Sequence, residues 1–476
     1  MTPGSKGNHR LVALALAALA ACSPEDLVIR GDPTFPIPVK GGTGMSVPIV
    51  MAQLGKNKDD VGAQFPLVVD TSCPLTAIWP QAAAPGPMDA ADPRCVAVEP
   101  LRISTGDGRI ARLALEFGGN FRYWCTPPGR VGVGAGAMTL GGVLGGDVLS
   151  RYAVRFAREG PSGEATVQLY EDLFEHSEQL AADGSVVITV NPGGGGELLG
   201  SDGVRRLFPA SMVAVRTCLG PAPYDPSGDV VLGAPPKDLG EGQGTGSPAM
   251  LIVASGAPVS MIARSTYDRL ASAVAAEGSG RMVTLEAAAA DDLLYMPGVT
   301  EKSTKIEGRQ AAPVQVVGWV TLPLVALVAR DVFTSDVSET DPNIDACREL
   351  ARARSLTQLA LHGVKDLPRH IAAHAELAPA ARIAVVPDDA PFLVAARQQA
   401  GNRVSVVDGV LGSDLIALLD FEIGYAGRDG EPSRVVLRCV DAMSCVARPR
   451  CMIDRAKEGL CPRAPQTVAP PPGVVP

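Results

Sequence analysis

Aromatic residues make up only 4% of the chain, and histidine occurs five times. So few imidazoles leave no obvious serine triad, and no Gly-x-Ser-x-Gly elbow occurs. No Lys/Arg-rich run is present, which removes the usual footprint of nucleic-acid binding. The net charge of -9 speaks for a well-solvated surface and little more. Beyond the N-terminus, no apolar run is long enough to cross a bilayer. What the chain has in quantity is glycine (52) and proline (41), among 476 residues of which 46% are hydrophobic. That mix suits short strands and turns over a sizeable core better than a helical bundle. The length fits two or three domains, or one large two-part unit.

The N-terminus carries Lys6, His9 and Arg10, then the apolar run LVALALAALAAC. A short basic region, an apolar stretch too short to span a membrane, and then small residues read as a secretory signal. Leu19-Ala20-Ala21-Cys22 resembles the lipobox of bacterial lipoproteins. The resemblance implies cleavage before Cys22, acylation of its thiol and amine, and a firm membrane anchor, because each buried methylene contributes about 0.8 kcal/mol. Ser23, in place of an Asp, favours the outer membrane over the inner one. The alternative is an ordinary signal peptide with a chance cysteine. Nine cysteines remain after Cys22: 73, 95, 125, 218, 347, 439, 445, 451 and 461. In an exported chain most are expected in disulfides, and the odd number leaves one over. The C-terminal four are spaced too widely for a zinc knuckle, so disulfides are expected there as well.

From about 45 to 160, short apolar runs such as SVPIVMAQL, FPLVVD and IARLALEF alternate with Gly, Pro and Asp turns. STGDGR (104–109) reads as the tight turn of a hairpin. Helical spacing is confined to 169–181, 265–278 and 345–363, with RHIAAHAEL (369–377) as a continuation of the last. His370 and His374 would then share a helix face, but the metalloprotease Glu is missing between them, and a solvated face is expected. The Gly-rich GVGAGAMTLGG (132–142) leads into a strand, not a helix, and so reads as loop. No metal site and no cofactor are expected.

Two internal repeats organise the rest. LVVDTSCPLTAI (67–78) and LIVASGAPVSMI (251–262) align without a gap, and GVLGGDVLSRYAVRF (142–156) aligns with GVLGSDLIALLDFEI (409–423). The same two motifs thus occur in the same order twice, as in a duplicated unit.

An apolar pair followed by Asp-Thr-Ser (68–72), with a later Val-Leu-Gly (143–145), resembles the aspartic peptidases of the pepsin and retropepsin type. Ile252-Val253-Ala254-Ser255-Gly256 and Val410-Leu411-Gly412 match the second copy, and SMIARSTYDRL resembles the helix that follows there. The likeness covers roughly 45–435. It implies a mainly β, bilobed fold of two duplicated lobes, with Asp70 at the interface and the Thr71 hydroxyl bonded across it. The implied division is a signal peptide (1–21), a tether (22–44), a first lobe (45–190), a second lobe (191–435) with a helical insertion at about 335–390, and a Cys-containing, Pro-rich tail (436–476).

In that family two carboxylates about 3 Å apart share one proton. One activates a water and the other polarises the scissile carbonyl. Here Ala254 removes one carboxylate, Ser72 replaces the usual glycine, and no tyrosine-bearing flap motif is found. Asp70 without its partner is expected to be an ordinary ionised carboxylate near pH 7. Three readings of it stand: a relic in an inactive pair of lobes; a catalytic group paired with a carboxylate from elsewhere, with Asp291, Asp292 and Asp331 as candidates; or an Asp in the turn of an unrelated β-domain. The first implies an envelope lipoprotein that binds an extended peptide or protein between the lobes, or serves a structural role with the gap filled by the 345–377 segment. The second implies an active endopeptidase.

Overall fold

The computed structural model describes residues 28–30, 37–38, 47–54, 64–73, 76–79, 101–103, 115–118, 130–157, 165–170, 186–189, 191–192, 196–199, 205–208, 212–220, 246–276, 282–297, 313–329, 346–361, 370–371, 374–377, 381–400, 407–425, 434–439, 445–448 and 451–452. These residues are mainly β, arranged in several sheets. Cys22, the 1–21 segment, the 104–109 turn, Asp331 and the Pro-rich end lie outside them. Among the described residues no helix is long and apolar enough to cross a membrane.

The repeated motifs form the middle of two sheets. Phe65–Val69 and Ser247–Val253 are near-continuous apolar runs, as strands buried on both faces require. Each pairs in parallel with the strand of the second motif, Leu67 with Gly142 in one copy and Leu251 with Gly409 in the other. The strand after each turn returns antiparallel to that same partner, Ala77 opposite Val143 and Met261 opposite Val410. The two copies therefore share one register throughout. In the first, the neighbours are Ile49–Leu54, Leu101–Ile103, Leu115–Gly118 and Val28–Arg30. In the second, the sheet grows to eleven strands.

A six-stranded sheet joins the two copies: Ile37–Pro38, Thr166–Tyr170 and Ala153–Ala157 continue into Leu419–Gly424, Arg434–Cys439 and Val186–Thr189. Its central seam pairs Val154 with Ile423 and Phe156 with Phe421. Val154, Phe156, Leu419, Phe421 and Ile423 belong to one apolar core with Val69, Leu144, Val253 and Leu411. The turns that end the two motif strands thus rest on a floor contributed by both halves of the chain.

Helix Arg264–Ala276 buries Tyr267, Leu270 and Val274 at helical spacing. Asp388 accepts the backbone N–H and the hydroxyl of Ser265 at its first turn. Helix Ala346–Leu361 packs through Ala346, Cys347 and Leu350 on the strands that hold Cys218 and Ala326. The Cys218–Cys347 disulfide and the ion pairs Arg216–Glu349 (2.9 Å) and Arg354–Glu376 (2.6 Å) fasten it.

Several sequence expectations need correction. Residues 169–170 close a strand instead of opening a helix. His370–Ile371 and His374–Leu377 are strands, so the two histidines share no helix face. His374 is fully buried beside Glu376, and all four residues of its strand are buried, an apolar-rich run whose type spacing alone does not decide. The segment at about 335–390 is not a helical insertion alone: His374–Leu377 and Ala381–Val386 are members of the eleven-stranded sheet. Part of the expected tether, Val28–Arg30 and Ile37–Pro38, pairs with sheet strands, as do Cys445–Arg448 from the expected tail. The first C-terminal cysteines do form a disulfide, Cys439–Cys445.

Candidate functional site

Each motif strand stops because its parallel partner diverges there. Asp70 N–H still donates to Leu144 C=O and Ala254 N–H to Leu411 C=O, both at 3.0 Å, and beyond them the chain turns. The two turns meet face to face through four reciprocal hydrogen bonds. Thr71 Oγ1 donates to Val253 C=O (2.9 Å) and accepts from Ser255 N–H (3.1 Å). Ser255 Oγ donates to Val69 C=O (2.8 Å) and accepts from Thr71 N–H (3.1 Å). Each hydroxyl so satisfies one orphan donor and one orphan acceptor at a strand end, all of it buried. The crossing of the Thr71 hydroxyl is as the family resemblance implies.

A second matched network braces the turns from behind. Asp147 Oδ1 accepts from the N–H and hydroxyl of Thr76 (2.8 and 2.7 Å) and from Val148 N–H. Asp414 Oδ1 accepts from the N–H and hydroxyl of Ser260 (2.8 and 2.7 Å) and from Leu415 N–H. Thr76 and Ser260 in turn accept from the N–H groups of Gly145 and Gly412. Burial pushes the Asp147 carboxyl up to about 6, against the pull of its Thr76 bonds, and Asp414 shifts the same way. Each of these carboxyls braces its turn through three bonds to one oxygen. Both copies of the second motif carry an aspartate at the same place, Asp147 and Asp414. The signal was available, since position ten of the first motif is a hydroxyl in both copies.

Asp70 differs from both. It is 1% exposed. Its Oδ1 accepts from the N–H (2.9 Å) and the hydroxyl (2.8 Å) of Ser72. Its Oδ2 is buried and makes no well-formed hydrogen bond among the described residues. Gly256 lies directly against it: a Cβ there would stand 2.5 Å from Asp70 Cγ and 2.7 Å from Oδ2. Burial pushes the Asp70 carboxyl up, and the nearby Ser72, Gly256 and Cys73 donors pull it back only in part. It is therefore not the ordinary carboxylate expected from its lack of a partner; desolvation outweighs that lack. Tyr425, at the end of the floor strand, carries a buried hydroxyl that burial and the Asp70 charge both hold away from ionisation. Nothing in the sequence marked it.

Ala254, the position matched to Asp70 in the second copy, is fully buried within the apolar cluster of Ile252, Met261 and Val410. Of the three candidate partner carboxylates, Asp292 is occupied elsewhere, accepting from Trp319 Nε1 and Ala289 N–H (both 2.9 Å), bonds that hold its pKa low. Asp291 lies with it, its carbonyl against Gly134. Of the 345–377 segment, the expected plug, the described first turns of helix Ala346–Leu361 pack on the face of the Cys218 strand. Among the described residues no cluster of His, Cys, Asp or Glu is placed to hold a metal ion.

No family model matches the chain. No curated protein sequence matches it either. Among the described residues, Asp70 is held on one oxygen by the neighbouring serine and has no partner on the other. A carboxyl so placed can hold or polarise a single molecule.

Proposed function

We propose that the chain is an inactive relative of the pepsin and retropepsin-type aspartic peptidases, bilobed like them. It is carried at the bacterial cell envelope by lipid on Cys22 and acts there as a peptide- or protein-binding or structural module. One observation carries the inactive reading: Asp70 lies against Gly256, its matched position holds Ala254, and among the described residues its only side-chain hydrogen-bond partner is Ser72. The shared register of the two motifs and the reciprocal Thr71–Ser255 bonds support the peptidase-like scaffold. A scaffold of this kind offers strand edges along which an extended peptide can pair.

Mature protein incubated with casein at acid pH should release no peptides. Cleavage that pepstatin blocks and Asp70→Asn abolishes would overturn the inactive reading. Incorporation of labelled fatty acid, lost in Cys22→Ala, tests the anchor; incorporation that survives the substitution would sink it.

A further inference from the structure

The two turns are equivalent residue for residue except at their first and third positions. Asp70 matches Ala254, and Ser72 matches Gly256. Gly256 is needed because a side chain there would run into Asp70, with contacts of 2.5–2.7 Å to its Cβ, Cγ and Oδ2. Carried through the matched register, the same relation would set position 72 against position 254. Where 256 has no side chain and 70 has a carboxyl, 72 has a side chain and 254 has none beyond Cβ.

We propose that Ser72 is a built-in stand-in for the missing carboxyl, so that two residues hold the site off and not one. Its Cβ takes up space that an acid at 254 requires. Its hydroxyl takes up the contact that such an acid would make. In a two-carboxylate site the facing oxygens lie about 3 Å apart and share a proton. Here the Ser72 hydroxyl approaches Asp70 Oδ1 at 2.8 Å, and with the Ser72 N–H it fills both acceptor directions of that oxygen. A serine hydroxyl donates a hydrogen bond but does not titrate in the range where a carboxyl dyad works. The contact is kept and its acid–base chemistry is gone. This inference rests on the inactive reading above.

The test is the thermal midpoint of the mature protein in a set of variants. Ala254→Asp alone should lower it sharply. Adding Ser72→Gly should restore about half of that loss or more, because the proposal makes the two positions neighbours and neighbouring substitutions couple. Adding Ser72→Ala should restore none, since the Cβ stays. The uncharged Ala254→Asn should follow the same pattern, which ties the effect to space and not to charge. Additive losses in Ser72→Gly/Ala254→Asp, equal rescue by Ser72→Ala, or failure of the Ser72→Gly double variants to fold would each overturn the proposal. Pepstatin-sensitive cleavage by the unaltered protein would instead sink the inactive reading and leave the coupling standing.

Discussion

Gly256→Ala is the smallest change that probes the junction of the two turns. The new methyl group would stand 2.5 Å from Asp70 Cγ and 2.7 Å from both its Cβ and Oδ2, well inside contact distance. The neighbour is not a free chain end that can swing away. Asp70 is held by Ser72 on one oxygen, and Thr71 beside it is fixed by bonds to Val253 and Ser255. Overpacking of a rigid site costs about 1–3 kcal/mol, and the upper end is expected here because several contacts are violated together. Gly136→Ala is the control, since a Cβ there meets nothing within 4 Å. That variant should be neutral, or stabilised by up to about 1 kcal/mol through a stiffer unfolded chain. Urea titration of both proteins followed by tryptophan fluorescence gives the comparison. Asp70→Ala should rescue Gly256→Ala only in part, because it removes the Cγ and Oδ2 contacts but leaves the Cβ contact at 2.7 Å. If Gly256→Ala unfolds within about 0.5 kcal/mol of Gly136→Ala, the close packing of the turns is refuted.

Thr71→Val keeps the shape of the side chain but strands Val253 C=O and Ser255 N–H without partners. At about 1–3 kcal/mol for each buried unpaired group, a loss of roughly 2–6 kcal/mol is expected in urea unfolding, and a loss below about 1 kcal/mol would contradict the network. Glu422 gives a pH test. It is buried on the seam sheet with neither oxygen hydrogen-bonded, and burial raises its pKa to about 7 although Arg155 opposes the shift. A folded value above the unfolded one means that the native state holds the extra proton, so this contribution is full below about 4.5 and lost as pH rises through about 7. The melting temperature should fall over that window, and Glu422→Gln should flatten the fall; an unchanged slope in that variant would remove Glu422 as the cause.

The duplicated core was legible because its signals are local and redundant. Apolar strands broken by a small-residue turn occur twice, and the pairing of Leu67 with Gly142 and of Leu251 with Gly409 repeats that alignment. The helix at Arg264–Ala276 was legible for the same reason, its buried positions falling on one stripe. The segment around His374 was not. Ala-rich composition mimics a helix, and only its neighbours, Val325–Val328 on one side and Cys445–Arg448 on the other, make it a strand. At the site, the loss of one carboxylate could be read from Ala254 directly. The raised pKa of Asp70 could not, because burial depends on what packs above it, and that is Gly256, far away in sequence. The role of Ser72 was hidden too: its departure from glycine was visible, but not its bond to the acid two residues earlier.

The seam of the six-stranded sheet has a consequence for how the chain is made. Ala153–Phe156 pairs on one edge with the nearby Thr166–Tyr170, but its other edge finds its partner at Phe421–Gly424. On a ribosome adding about 5–20 residues per second, the first half therefore waits for tens of seconds with that strand edge open. An open apolar edge is a site for pairing with the wrong chain. The waiting strand carries Arg155 in its middle, and the arriving one carries Asp420 and Glu422, with Arg155 and Asp420 meeting at 3.5 Å once the sheet closes. A charge in the middle of an edge guards it while it waits. The buried acid opposite Arg155, costly in the finished protein, then marks the correct half when it arrives.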